Sequence, residues 1–345
     1  MKLKSKDDLH LLMYSAAPSA ALAAAMETGL LWRLAELPMS ADEVAQELNI
    51  PGKRGHYWLQ VLEELGIVER GANGYSPSSL AREAILETLS QESRRHLIHD
   101  DRQRTDVVRH LARFISEPGS IWAAQGLVRP EDYVQTMQQD PALAREFTRM
   151  LFEVHQALAR DIAERIDLTG VTRVMDVGGG SGVVSMALLR RQLALSATVV
   201  DIENVCIAGR EIAAEQGLSD RISYHPADLL HGEFPASFDL ALQCDVGVTG
   251  VALFEKIWHS LLPGGRLTLV ELISPAQNQA PPTRVEWTFL DSLHDPDFGF
   301  PTFDEVEEQL TRVGFEVLPE RPSFGKGWSM VQARKPASPA ESRRA

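Results

Sequence analysis

Thr172-Arg-Val-Met-Asp-Val-Gly-Gly-Gly-Ser-Gly182 is a short apolar strand that passes through one carboxylate, Asp176, into a glycine-rich turn, and Val183 to Leu193 continue it as a helical segment. Glycines at 178, 180 and 182 permit positive φ and a close backbone approach that side chains would block, and the start of the following helix offers unpaired N–H groups to a ligand. A second strand, Ala197-Thr-Val-Val-Asp201, ends in an acidic residue about twenty positions further on, where a carboxylate can accept both hydroxyls of a ribose. Strand, turn, helix and a second acidic strand end, in that order, describe a nucleotide-cofactor site.

The spacing narrows the cofactor. A dinucleotide fingerprint has its third glycine one place later, at Val183, so the turn reads GxGxG rather than GxGxxG. A GxGxG turn two residues after an acidic strand residue resembles the first motif of the S-adenosylmethionine-dependent methyltransferases. The resemblance implies S-adenosylmethionine as the cofactor. It would be held by Asp176, Gly178, Gly180 and Gly182 at the turn, by Asp201 and Ile202 at the ribose, by Asp228 and Leu229 at the adenine, and by Cys244 and Asp245 beyond the next strand.

Strand-like segments recur at Arg221–His225, Phe238–Gln243, Gly265–Ile273, Phe315–Leu318 and Trp328–Ala333, with helical segments between most of them. This alternation predicts a parallel sheet wrapped by helices. The last two segments are joined by a Pro/Gly-containing loop too short for a crossover helix, so they are expected to pair antiparallel at one edge. Leu261-Leu-Pro-Gly-Gly265 is similar to the turn before the fifth strand of class I methyltransferases, and the expected fold is their α/β Rossmann-like sheet with an antiparallel edge strand.

At 345 residues the chain exceeds one typical core, and 44% hydrophobic with 24% charged residues is ordinary for a globular protein. Two cysteines, Cys206 and Cys244, fit a reducing compartment better than a disulfide framework. The opening, with Lys2, Lys4 and Lys6 before an Ala-rich run, has some marks of a secretory signal. Asp7 and Asp8 interrupt its basic part, Pro18 divides the apolar run, and the helical pattern continues through Leu30, Leu31 and Leu34. No segment is long and apolar enough to span a bilayer, and a cytoplasmic protein is expected.

In the N-terminal third, Ser40-Ala-Asp-Glu43 reads as a capping box opening a helix. A turn at Asn49–Gly52, a second helix through Leu65 and a hairpin over Ile67–Ser76 complete a winged helix. DNA binding is opposed by charge: the net charge is −14, and the second helix carries Lys53 and Arg54 at its start but Glu63 and Glu64 further on. A winged helix joined to a methyltransferase domain resembles the plant-type and bacterial small-molecule O-methyltransferase family. That resemblance implies a dimerisation domain over 1–112, a cofactor-binding methyltransferase domain over 113–334, and a tail, 335–345, whose composition predicts disorder. It implies a homodimer that binds a small molecule and neither nucleic acid nor membrane. The apolar face with Leu9, Leu12, Met13, Leu22, Met26 and Leu30 is then the partner surface, or else packs on its own domain.

A connecting helix is expected over Pro141–Ile166, with Leu143, Phe147, Met150, Leu151, Val154, Leu158 and Ile162 at helical spacing. The resemblance puts Phe147, Met150 and His155 near the substrate pocket, together with Trp287, Asp291 and Asp295 upstream of the last helix. His96, His99, Asp100 and Asp101 have spacing that could seat a metal, but they read better as a solvated charged face, and no metal is expected.

Methyl transfer is an in-line displacement at the sulfonium carbon. A phenol, with pKa near about 10, needs its proton removed, and a positioned base commonly contributes about 10² to 10⁴ in rate. The family's base is a histidine in a His-Asp-Trp element after the fourth strand. Here Val248 or a near neighbour occupies that place, followed by Thr249 and Gly250, in a shorter loop. Glu271 matches the first flanking acid of the family, and an apolar residue near Phe300 replaces the second. Glu271 and His294 are therefore the candidate catalytic residues. O-methylation of a small aromatic or polycyclic metabolite is the leading expectation. N- or C-methylation, which needs no histidine, stays open, as do non-methylating chemistry on the same cofactor and a winged-helix regulator.

Overall fold

The computed structural model describes residues 3–126, 133–325 and 327–337. The chain forms two compact units, Met1–Gln103 and Arg104–Ala345, dividing earlier than the expected boundary after 112. Beyond residue 337 the expected disordered tail lies outside the described residues.

In the first unit the helix Ala41–Glu47 opens on the expected capping box: the Glu43 amide donates to Ser40 Oγ and the Ser40 amide to Glu43 Oε2 at 2.7 Å. The helix Gly52–Glu64 follows, then β1 (Val68–Gly71) and β2 (Gly74–Pro77) as an antiparallel hairpin. A bridge from Met39 to Tyr75 adds a third short edge to this wing. Leu30, Leu31, Leu34, Leu59 and Leu62 are sealed in the core between these elements. The expected apolar face therefore splits. Leu30 belongs to the core, whereas Leu9, Leu12 and Met13 sit on Lys6–Met13, a helix with no buried residue.

The second unit is built on one sheet. Its strands are β3 (Arg173–Val177), β4 (Ser196–Asp201), β5 (Ile222–Pro226), β6 (Phe238–Cys244), β7 (Leu261–Leu272), β8 (Glu316–Val317), β9 (Ser323–Phe324) and β10 (Trp328–Arg334). They lie in the order β5-β4-β3-β6-β7-β10-β8, with β9 paired to β10. β3 to β7 are parallel, and β10 inserts antiparallel between β7 and β8. Alternate residues feed opposite faces, as the two-residue strand period requires. Val174, Leu240, Val270 and Met330 join the helices Gln156–Arg165, Val183–Arg191 and Glu203–Glu215 on one side. Met175, Ala241, Leu269 and Val331 join Val251–Ser260 and Phe303–Val313 on the other.

Two features of this sheet position a site. From β3 the chain winds to β4 and β5 on one side and then returns to β6 on the other, so the strand order reverses between β3 and β6. A crevice opens outside the carboxyl ends of strands at such a point. The other feature is the helix expected as one piece over 141–166, which breaks into Pro141–Val154 and Gln156–Arg165 at His155, with φ −95° and ψ 4°. The Gln156 side-chain amide donates to the Phe152 carbonyl at 3.1 Å, and a side chain inserted into the ladder bends a helix at that turn.

Candidate active site

The turn after β3 is shaped by its glycines. Gly182, at φ +76°, starts the helix Val183–Arg191, and a Cβ there would meet Ile222 Cδ1 at 2.8 Å and Val199 Cγ2 at 3.0 Å. Gly180, at φ +56°, has open space where a Cβ would stand. The glycine amide is not free, however: it donates to Asp201 Oδ2 at 2.9 Å, while the Ile202 amide donates to Asp201 Oδ1 at 2.8 Å. Asp201, at the end of β4, thus holds the glycine turn against the start of the helix Glu203–Glu215. Burial pushes its carboxyl up to about 6 against the pull of these two amides.

Asp176 lies beneath the turn, 1% exposed. Ser185 Oγ donates to its Oδ2 at 2.6 Å, and Oδ1 has no partner. Burial pushes this carboxyl to about 6 as well. Two buried carboxylates, one with a free acceptor, make the floor of the crevice attractive to hydroxyl and ammonium donors.

The cleft above them encloses about 680 Å³ of empty space, counted together with the solvent at its opening. Gly178, Gly179, Gly180, Ser181 and Asp176 line one end. Thr148, Leu151, His155, Leu158 and Ile162 line a wall, a stripe at helical spacing that runs through the break at His155. Cys244 and Asp245, at the end of β6 beside the turn, line the cleft together with Val270 and Trp328. Thr148 Oγ1 is buried in this wall without a partner.

At the β6 end, His155 Nε2 stands 3.6 Å from Asp245 Oδ2. Asp245 is held at φ +55°, with its amide donating to the Val270 carbonyl at 2.9 Å. Burial holds the His155 imidazole below its ordinary pKa; Asp245 pulls it back up, and the Arg284 guanidinium pushes it down. Arg284, just before the helix Val285–Ser292, lies over the Trp328 ring at 5.8 Å, with Nε buried and unpartnered.

Glu271 occupies a different position from the one expected of a catalytic acid. Only 4% exposed, its Oε1 accepts the amides of Val246 at 2.8 Å and Gly247 at 3.3 Å, and burial pushes its carboxyl up to about 8. Gln243 Nε2 donates to the Val248 carbonyl at 2.7 Å, so the short loop after β6 is held from both sides. Glu271 borders neither this cleft nor the more open one lined by Gly247, Val248, Thr249, Thr288 and Phe300. Its geometry is that of a loop clamp, because the backbone amides already occupy its acceptor.

His294 is also elsewhere. Its ring meets Trp122 edge-on at 6.2 Å, beside the buried Leu293, and it lines neither cleft. Trp287, Asp291 and Asp295 lie outside both clefts too; Asp295 accepts the Asp297 amide in its own turn. Phe147 stacks near Tyr133 at 5.8 Å and packs with Ile202 and Val205 behind the cleft wall, and Met150 is buried without lining it. Asp228 Oδ1 accepts the amides of Leu230 and His231, and Leu229 Cδ1 would lie 3.2 Å from a Cβ at Gly178. Among the described residues no group of three His, Cys, Asp or Glu could hold a metal ion; the side chains of His99, Asp100 and Asp101 lie outside the described set.

Sequence reasoning brought His155 to the cleft but passed over Thr148, Tyr133 and Trp328. The signal for Thr148 was present, since it precedes Leu151, His155 and Ile162 by helical steps. Trp328 had none, because β10 is far away in sequence.

The O-methyltransferase domain model matches residues 110–315. The 3-hydroxy-5-methyl-1-naphthoate 3-O-methyltransferase of Streptomyces sahachiroi is 32% identical over 228 residues, 64% of this chain. The L-tyrosine C(3)-methyltransferase of Streptomyces lavendulae is 25% identical over 53% of this chain. The alignments span only 62% and 52% of those two relatives. The solved structure of human N-acetylserotonin methyltransferase in complex with SAM superposes with a TM-score of 0.77 at 18% identity, covering 98% of this chain and all of that one.

Proposed function

Because the chain belongs to the O-methyltransferase family, its domain extending over residues 110–315, we propose that it transfers a methyl group from S-adenosylmethionine to a hydroxyl of a small aromatic or polycyclic metabolite. The observation that carries the cofactor assignment is the Asp201 carboxylate spanning the glycine turn, with the unpartnered Asp176 Oδ1 below it. Bound there, the cofactor supplies an electrophilic methyl group on a sulfonium.

The residues present fit such a group. Asp201 would accept ribose hydroxyls, Asp176 would take an ammonium, and Gly180 leaves the space that a Cβ would fill. Leu229, beside Gly178, offers an apolar face to a purine, and Asp228 Oδ2 is clear of the two amides that engage Oδ1. Trp328, Val270 and Leu158 line the cleft with apolar surface that would exclude water from a bound cofactor. Burial holds the Cys244 thiol protonated, so it does not compete as a nucleophile.

The first unit, in this reading, dimerises and does not bind DNA. The exposed Leu11, Met13 and Tyr14 on an acidic protein support it. Among the described residues no single helix is long and apolar enough to cross a membrane, although the bent pair Lys6–Met13 and Ala16–Glu27 meets the length and composition together. A cytoplasmic location goes with a cofactor made there.

A second reading, transfer to carbon or nitrogen, is favoured by one observation: Val248 and its neighbours put no histidine in the loop after β6. The test is to incubate the full chain with S-adenosylmethionine and 3-hydroxy-1-naphthoate and analyse the product by mass spectrometry and NMR. A methyl ether supports O-transfer, a ring-methylated naphthol supports the second reading, and failure to bind S-adenosylhomocysteine in calorimetry would defeat both.

A further inference from the structure

The loop after β6 has no histidine, but one from another element lines the same cleft. His155 sits at the break between Pro141–Val154 and Gln156–Arg165, lines the cleft, and is the one imidazole that does so among the described residues. Its Nε2 is 3.6 Å from Asp245 Oδ2, close enough for strong electrostatic attraction yet longer than a hydrogen bond, which leaves Nε2 open to a third group. Asp245 is fixed by its backbone bond to Val270 and faces the cleft from the end of β6.

We propose that His155, held opposite Asp245, is the general base of this enzyme, taking the proton of an aromatic hydroxyl at Nε2 in place of the missing loop histidine. The proposal rests on the O-transfer reading and adds the catalytic residue to it. As the hydroxyl proton passes to Nε2, the oxygen pair forms the O–CH₃ bond, and the S–CH₃ bond breaks with its electron pair going to sulfur. The positive charge of the sulfonium is thus replaced by that of the imidazolium, and Asp245 offsets it.

The charges around the ring suit this task. Burial favours the neutral imidazole, Asp245 favours the protonated form, and Arg284 from the segment before Val285 opposes it. Asp245 also raises the buried Glu271 carboxyl. Arg284 lies over the ring of Trp328, which lines the cleft, and places a cation near it.

The experiment uses the full chain saturated with S-adenosylhomocysteine, and 2-naphthol as the probe, because the naphtholate absorbs at longer wavelength than the naphthol. Titrating the ternary complex with pH is expected to give a bound naphthol at least tenfold more acidic than the free one. In His155→Gln the naphthol should bind with its ordinary acidity, while calorimetry shows that variant folded and holding S-adenosylhomocysteine, and in Asp245→Asn the shift should shrink. A purely structural histidine would not change the acidity of the probe. Three results overturn the proposal: unshifted naphthol in the parent, an equal shift in His155→Gln, or no naphthol binding by the loaded enzyme. Loss of S-adenosylhomocysteine binding by the parent itself would strike the cofactor reading instead.

Discussion

Two parts of the cleft lining, side by side at the ends of β3 and β6, are built in opposite ways. The glycine end is contiguous: Asp176, Gly178, Gly180 and Gly182 belong to one strand–turn–helix, and Asp201 closes it from the next strand. The β6 end is assembled from distant segments, His155 from a helix break, Asp245 from a strand end, Arg284 from a later loop and Trp328 from the antiparallel strand. The glycine end depends on local backbone geometry, and the β6 end on how separate elements pack. The difference teaches that a carboxylate beside a site has to be judged by what already occupies its oxygens. Asp201 and Glu271 both accept two backbone amides and neither lines the cleft, yet Asp201 ties down the glycine turn that does and Glu271 the loop after β6.

The sharpest way to break the comparison is Asp201→Ala. It should weaken S-adenosylhomocysteine binding by about 1.5–3 kcal/mol, the scale of charge-assisted hydrogen bonds, measured by calorimetry. Unchanged affinity would remove Asp201 from the cofactor site.

Glu271→Ala comes next. Leaving the Val246 and Gly247 amides without their acceptor should cost about 1–3 kcal/mol of stability in denaturant titration. Glu271→Gln separates clamp from catalyst. With a folded pKa of about 8 against 4.5, the stability gained from the protonated carboxyl is complete below pH 4.5 and is lost as pH rises through about 8. The Gln variant should therefore match the parent near pH 4.5 and lack the parent's decline in melting temperature between about pH 4.5 and 8. A large fall in turnover with stability intact would return Glu271 to the chemistry.

At the glycine end the pH dependence runs the other way for binding. Ribose hydroxyls donate to an ionised Asp201, whose carboxyl stands at about 6 in the free protein. S-adenosylhomocysteine affinity should thus rise about tenfold from pH 5 to pH 7, since one pKa unit corresponds to about 1.4 kcal/mol. A flat profile in calorimetry would mean that the carboxylate is not in contact.

The smallest effect on folding is expected from deleting residues 1–14. Lys6–Met13 buries nothing in its own unit, so the change in stability should stay within about 0.5 kcal/mol. Sedimentation should nevertheless show a dimer becoming a monomer. A full-length chain that sediments as a monomer at micromolar concentration would defeat the dimer.

Much of the glycine end was legible in the chain as written. The GxGxG turn, the acidic strand ends at 176 and 201 and the alternation of strands all impose their geometry within about thirty residues. The capping box at Ser40 and Glu43 was equally plain, because a cap is satisfied within one helical turn. Glu271 and His294 were a different matter. Each had the right chemistry and a neighbourhood that matched the family, but only packing shows that loop amides occupy one and that Trp122 flanks the other.

Local propensity and spacing settled the fold class, the turn, its paired carboxylates and the absence of a histidine after the fourth strand, since backbone conformation follows from neighbours in the chain. The tertiary structure alone decided which side chains meet beside the end of β6. A break at His155 turns one imidazole toward Asp245, and no periodicity specifies that, because contacts between residues some ninety positions apart depend on how helices and sheet pack together.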